Sequence, residues 1–373
     1  MHIALFFTFG ISLLDWQKTG LIDRETKLYE SILNNQNIKY TFITYGDIQD
    51  KNVENLPPGI KIIPAYEIIN YSNNKYLRFL KSFILPFKLR KILKDIDILK
   101  TNQLSGSWVP LILKIITNKK LFIRTGYDAY TFSIKERKPK YIQLGYYLLT
   151  QIAIIFSDLF SVTSNNDFKN TTNRFILTKN VILRPNWVEV PKYSNIDRKY
   201  LNRLLSVGRL ETQKNYKSLI LSLKGSEFEL DIVGEGSLKK ELISFAEQHS
   251  VKLNLLGRIS NNNLIKLYSE YRYFVIASKF EGNPKALLEA MASGCVVLAN
   301  TISSIEEIIT DQENGLMFSA EDQNLTDVLK QFSNKTDILQ KLSKNAVASI
   351  EKNNSLDKLL EAEVKDYQKL IRN

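Results

Sequence analysis

Cysteine occurs once in the 373 residues, at Cys295, and histidine only at His2 and His249. A single thiol inside an apolar stretch builds no disulfide framework, so a reducing cytoplasm is the expected compartment. Two distant histidines leave no metal-spaced His or Cys set, which excludes zinc chemistry and hydrolase triads. No GxxxxGK[ST] run is present, and Gly234-Glu235-Gly236 lacks the third glycine of GxGxxG, which argues against a P-loop and against NAD binding. Long clean apolar runs are also missing. Residues 141–156 are interrupted by Gln143, Thr150 and Gln151 and followed by Asp158, short of the roughly 18 to 20 residues of a membrane span, so a buried helix is predicted there. No positively charged leader precedes HIALFF at residues 2–7, which reads directly as a strand, and no secretory signal is expected.

What is present is globular: 44% hydrophobic residues, and a length suited to two domains of roughly 150 to 190 residues. The net charge of +12 is unevenly spread. Residues 1–190 hold 26 basic and 15 acidic side chains (+11), whereas residues 191–373 hold 25 and 24 (+1). A basic face addresses nucleic acid, anionic lipid or an acidic substrate. With no recognition helix, zinc finger or RNA-binding aromatic motif, no nucleic-acid partner is expected and a membrane surface is preferred. Residues 75–94, KYLRFLKSFILPFKLRKILK, interleave Lys75, Arg78, Lys81, Lys88, Arg90, Lys91 and Lys94 with phenylalanines and leucines, broken at Pro86. Such a run either lies on anionic lipid, each well-placed cation contributing about 1 kcal/mol, or forms core-packing helices with a solvated basic face.

In the first half, strands are predicted at residues 2–7, 40–45, 60–63, 97–99, 121–124, 159–163 and 181–183. Residues 8–20 read as a long loop at the end of the first strand, ahead of an amphipathic helix over 23–34. Ligands sit at such places in doubly wound sheets, so Gly10, Gly20 and Arg24 are candidates, against the reading of a surface loop with incidental glycines. RPNWVEVP at 184–191 is a polar, proline-bounded exit, and the domain boundary is placed at 190/191.

In the second half, strands at 204–207, 229–233, 252–256 and 273–277 run into GRLETQKN, GEGS, GRIS and SKFEGNP, each followed by a helix. That repetition is the signature of a nucleotide-type sheet. Gly208 permits a tight turn, and Arg209 and Lys214 place two cations at a strand-to-helix junction, where charge and backbone NH groups together hold a phosphate. Taken alone, two such cations are equally a solvent-facing pair. In SKFEGNPKALLEAMA (278–292), Asn283 is expected to cap a helix, with Pro284 at its first position and Gly294 just past its end. Glu281 and Glu289 are eight residues apart, about 80° net at 3.6 residues per turn, which puts both on a similar side. A helix N-terminus favours anions, so a carboxylate beside it is either a solvated loop residue or a functional one.

The ordered set VGRLETQKN, DIVGEGS, LLGRIS and SKFEGNPKALLEAMASGCVVLAN, continued by Glu306, Glu307 and ENGLMF, resembles the nucleotide-sugar domain of the family 4 retaining glycosyltransferases. The likeness covers most of residues 200–320. The first half resembles the family more loosely, in its alternating architecture and in RPNWVEV. The resemblance implies an α/β protein of the GT-B fold, two Rossmann-like parallel-sheet domains facing a central cleft. Residues 1–190 would bind the acceptor and 191–355 the nucleotide sugar, with a last helix of about 356–373 packing back on the first domain.

It further implies that Glu281 binds the sugar near the reacting carbon, that Glu289 holds the ribose hydroxyls, and that Arg209 and Lys214 clamp the diphosphate as its charge grows, without a metal. Backbone NH groups of Lys285 and Ala286 would add to that clamp, Gly208 and Asn283 would line the site, and Arg258, Ile259 and Asn261 would lie near the base. On the acceptor side Gly10 and Arg124 are the candidates, with Asp128 beside them. The histidine that the family often keeps there, and its double glycine in the first loop, are absent from this sequence.

The function implied is hexose transfer from a UDP- or GDP-sugar, with no cofactor, to a lipid-linked or saccharide acceptor in bacterial surface polysaccharide synthesis. The work would be done in the cytoplasm, at the inner face of the membrane. A nucleotide-sugar epimerase of the same fold and a non-catalytic nucleotide-sugar-binding protein are the other readings, separable by product analysis and by binding without transfer.

Overall fold

The computed structural model describes residues 1–35, 37–191 and 200–372. They divide into two units, Met1–Arg184 with Leu360–Asn373, and Pro185–Leu359. The first division falls at Arg184, where the sequence reading put it at 190, and the second falls inside the last helix, Leu356–Arg372.

In the first unit, β1 (His2–Phe6), β2 (Lys39–Thr44), β3 (Ile60–Pro64), β4 (Ile98–Thr101), β5 (Lys120–Arg124), β6 (Leu159–Val162) and β7 (Val181–Leu183) form one sheet. Its order is β3-β2-β1-β4-β5-β6-β7, with every pairing parallel. Parallel strands are buried on both faces, so their side chains alternate between two apolar layers. Ala4, Leu99, Leu121, Ile123 and Phe160 point to one layer, where Leu85, Leu89, Val109, Ala153 and Ile154 of the covering helices meet them. From the last helix, Glu363 and Tyr367 close on Lys100 of β4, and Asp366 accepts from Arg184 Nη2 and Nε at 2.6 and 2.7 Å.

The second unit contains β8 (Tyr200–Val207), β9 (Glu229–Val233), β10 (Leu253–Gly257), β11 (Tyr271–Ile276), β12 (Val296–Asn300) and β13 (Leu316–Phe318), in the order β10-β9-β8-β11-β12-β13, again all parallel. Leu204, Ile232 and Val275 face one helical layer, and Leu205, Val233 and Phe274 the other. In each sheet the chain winds one way and then reverses. The reversal lies between β1 and β4 in the first unit and between β8 and β11 in the second, and ligands of doubly wound sheets bind beyond the carboxyl ends of the strands at that switch.

Two sequence expectations need correction. Residues 8–20 are not all loop: Leu13–Lys18 is helical, opened by a capping box in which the Ser12 hydroxyl accepts from the Asp15 NH (3.0 Å) while the Asp15 carboxylate accepts from the Ser12 NH (2.8 Å). The Ser-x-x-Asp spacing carried that signal. The helix Lys140–Phe156 is only half buried. Its inward side holds Gln143, Thr150, Ala153 and Ile154, and its outward side is apolar. Apolarity all round a helix does not say how many faces are covered, and here a single layer packs on the sheet.

Candidate active site

β8 ends at Val207, and the chain turns at once through Gly208 because the β9 turn lies against it. A Cβ on Gly234 would stand 2.0 Å from the Gly208 carbonyl oxygen, and one on Gly236 would stand 2.4 Å from that of Leu210. Leu210 NH donates to the Glu235 carbonyl (3.1 Å) and Gly208 NH to that of Val233 (3.0 Å). The two glycines are therefore required by backbone approach. Gly234→Ala is expected to cost about 1–3 kcal/mol by overpacking, read as a lower denaturation midpoint at unchanged m-value.

The turn delivers Lys214 to Glu281. Lys214 Nζ stands 2.6 Å from Glu281 Oε1, with both side chains largely shielded from solvent. Their loops are tied by backbone as well: Lys279 NH donates to the Gln213 carbonyl (2.9 Å), and the Gln213 amide donates to the Phe280 carbonyl (2.9 Å). The pair thus sits where the β8 and β11 loops meet, at the switch point of the second sheet. Beneath it, Tyr216 is buried under Gly208 and Lys214. Burial raises its phenol above the ordinary range, and the Glu281 charge adds to the shift, so it stays protonated at neutral pH.

Glu289 lies inside the helix Lys285–Ala292 and is buried. Tyr268 donates to its Oε2 (3.2 Å) and the Asn261 amide approaches its Oε1 (3.5 Å). Glu281 precedes this helix in the loop, so the two carboxylates do not share a helical face. The expected cap is also different. The helix starts at Lys285 with Pro284 at its N-cap, and the Asn283 side chain makes no capping bond. Instead Asn283 Oδ1 accepts from the Asn186 NH (2.8 Å) and its carbonyl accepts from the Asn186 amide (2.6 Å). An Asn oxygen takes whichever NH the tertiary path brings nearest, and here the segment Pro185–Pro191 runs past the loop. The same segment puts Trp187 under Lys285, whose ammonium lies 5.0 Å from the ring centroid. Asn186, Trp187, Gln213, Tyr216 and Tyr268 were not singled out from sequence; only RPNWVEV as a motif pointed at the first two.

Of the remaining candidates, Arg209 and Arg258 are exposed on the β8 and β10 loops, Ile259 packs on the core, and Ala286 occupies the first turn of its helix. Gly10 and Arg124 belong to the first unit. Gly10 has φ +81° in open space after β1. Arg124 ends β5 half-buried, its NH donating to Thr101 Oγ1 (3.2 Å), and burial lowers its guanidinium against the pull of Tyr29 and Glu25. Asp128 caps the helix Ala129–Lys135 by accepting from the Thr131 NH (3.1 Å) and is ion-paired with Arg174 at 2.8 Å, which is a structural use of its carboxylate. Among the described residues, no three His, Cys, Asp or Glu side chains gather where a metal ion would be held.

Residues 193–348 match the family described as glycosyl transferases group 1. The matched stretch lies in the second half of the chain. The chain is 27% identical, over 68% of its length and 72% of the relative's, to the N-acetylgalactosamine-N,N'-diacetylbacillosaminyl-diphospho-undecaprenol 4-alpha-N-acetylgalactosaminyltransferase of Campylobacter jejuni. It is 26% identical, over 61% of its length and 67% of the relative's, to the capsular polysaccharide biosynthesis glycosyltransferase CapH of Staphylococcus aureus. In fold, the chain matches the Anabaena protein HepE, solved in complex with UDP-glucose, with a TM-score of 0.77 at 16% identity, covering 99% of this chain and all of the other. In fold, the two parallel-sheet units are of the GT-B type.

Proposed function

We propose that the protein transfers a hexose, with retention and without a metal, from a UDP- or GDP-sugar to a lipid-linked saccharide during surface polysaccharide assembly. The observation that carries this reading is the Lys214–Glu281 pair at the switch point of the second sheet, beside the Gly208 turn. Lys214, with Arg209 and the NH groups opening the helix Lys285–Ala292, would neutralise the diphosphate as the anomeric C–O bond breaks. Glu281 would face the sugar. Glu289, held by Tyr268 and Asn261, would receive the ribose hydroxyls. For retention, the acceptor oxygen bonds the anomeric carbon on the face the diphosphate leaves, and the hydroxyl proton passes to the departing phosphate oxygen.

The functions of the relatives support the acceptor class: one acts on a diphospho-undecaprenol-linked saccharide and another serves capsule synthesis. The basic stretch of residues 75–94 in the first unit, exposed at Tyr76, Leu80 and Phe87, supports work at an anionic membrane surface. Among the described residues, no helix is long and apolar enough to cross a membrane.

A panel of UDP- and GDP-sugars read by thermal shift tests the donor. One base family should stabilise the protein by about 2.7 kcal/mol at a hundredfold excess over its dissociation constant, and Glu289→Ala should weaken that nucleotide while EDTA leaves turnover unchanged. No stabilisation by any nucleotide sugar overturns the reading.

A further inference from the structure

The helix Lys140–Phe156 is built inside out for a protein surrounded only by water. Its outward positions are Tyr141, Leu144, Leu148, Ile152, Ile155 and Phe156, between 40% and 73% exposed. Spaced three and four apart, they form one stripe along the helix, about 24 Å long at 1.5 Å per residue. Gly145 and the terminal Lys140 are the other exposed positions on it, so the stripe carries no polar side chain over its central turns. The polar residues point the other way. Gln143 is buried and donates to the Lys138 carbonyl (2.7 Å), and Thr150 is buried and donates to that of Tyr146 (2.7 Å). Satisfying polar groups inside while exposing leucine and isoleucine outside suits a helix whose outer side meets an apolar phase.

Charge says which phase. The same layer over the sheet carries the helix Leu85–Ile92, Phe79 of the preceding helix Lys75–Ser82 packs on Trp108 of that layer, and residues 75–94 hold seven cations and no acid. At the start of the stripe stand Lys135, Arg137, Lys138 and Lys140, with Glu136 as their one acid, bound to Lys138 at 3.3 Å. Asp158, just past its end, is taken by Lys114 at 2.7 Å. A second copy of the chain meeting this face would bring like charge to like. An anionic bilayer offers both an apolar interior for the stripe and negative headgroups for the cations.

We propose that the outer face of the helix Lys140–Phe156 inserts into the headgroup and acyl boundary of an anionic lipid bilayer, with the basic helices over residues 75–94 seated beside it on the headgroups. The interaction adds an apolar, salt-resistant element to the peripheral association proposed above. It is independent of the donor reading, because vesicle binding and nucleotide binding are measured separately.

The test is flotation of the full-length protein with vesicles of phosphatidylglycerol and phosphatidylcholine, and with phosphatidylcholine alone, at 0.1 and 0.5 M NaCl. Wild type should float with anionic vesicles and retain part of its binding at high salt. Leu148→Asp with Ile152→Asp should lower partitioning at least tenfold with the circular dichroism spectrum and nucleotide thermal shift unchanged. Arg90→Glu with Lys91→Glu should lower only the salt-sensitive part. As a measurement that needs no disruptive change, the emission of Leu148→Trp, compared with the wild-type background, should shift to the blue when anionic vesicles are added. Undiminished flotation of the double aspartate variant, or an emission that does not move, overturns the proposal. So does a wild-type dimer in analytical ultracentrifugation that the same variant dissociates without any vesicle binding.

Discussion

Lys214→Ala is expected to lower kcat about 10²- to 10³-fold, the loss typical of removing one preorganised group from a developing negative charge, while the protein stays folded. The reason lies in the geometry of the pair. Lys214 already has its ammonium fixed 2.6 Å from Glu281, on two loops that share backbone hydrogen bonds, so little ordering remains to be done when a diphosphate arrives. Glu281→Ala is expected to lower turnover as well, and the two losses should not add, because each variant already breaks the shared contact. Lys214→Arg keeps the charge but not the point geometry and should fall between. Initial rates of donor hydrolysis or transfer at saturating donor decide it: wild-type turnover in Lys214→Ala would sink the assigned role.

Glu363→Ala should be the most destabilising single change away from the site, at about 3–5 kcal/mol. Glu363 and Lys100 are ion-paired with almost no solvent exposure, and Tyr367 joins them, with the Lys100 ammonium 3.0 Å from its hydroxyl. The Lys100 ammonium is further surrounded by the rings of Tyr29, Phe122 and Tyr367 at 5.4 to 5.5 Å. Removing the carboxylate leaves an ammonium that must either stay charged without a partner or give up its proton, and both cost free energy. For a unit of this size that corresponds to a melting temperature lower by roughly 6 to 20 °C. Scanning calorimetry checks it. A double replacement, Lys100→Met with Glu363→Leu, should recover much of the loss, since a well-packed apolar pair avoids the desolvation penalty; no recovery would mean that the last helix is held by other contacts, such as Arg184 with Asp366.

The strands of both sheets were legible because parallel strands are short, β-branched and apolar on both faces, and the breaks between them carry glycine or proline. Predicted bounds such as 181–183 and 229–233 match β7 and β9, while β11 starts two residues earlier than read. The loops of the second sheet were legible for a related reason. Gly234 and Gly236 are required by backbone approach, and such requirements leave a mark in composition. What the sequence left open is which surface each helix turns to its neighbours. Residues 141–156 were read as buried because they are apolar, yet apolarity cannot report that only one layer of packing exists.

Hydrogen-bond partners far apart in sequence were equally hidden. Asn283 had the right identity and place for a cap, but Asn186, 97 residues away, reaches its oxygen. Tyr268 meets Glu289 from a different helix, and Lys100 meets Glu363 across most of the chain. By itself, then, the sequence determined the alternation of strands and helices, the two sheets, and the residue types gathered at the strand ends, because those follow from local periodicity and from positions only glycine can fill. Only the tertiary structure decided that Lys214 neutralises Glu281, that Glu289 is buried beside Tyr268, and that the Lys140–Phe156 helix shows its apolar side to the outside. Each of those is a meeting between distant segments, and a meeting is fixed by the path of the whole chain.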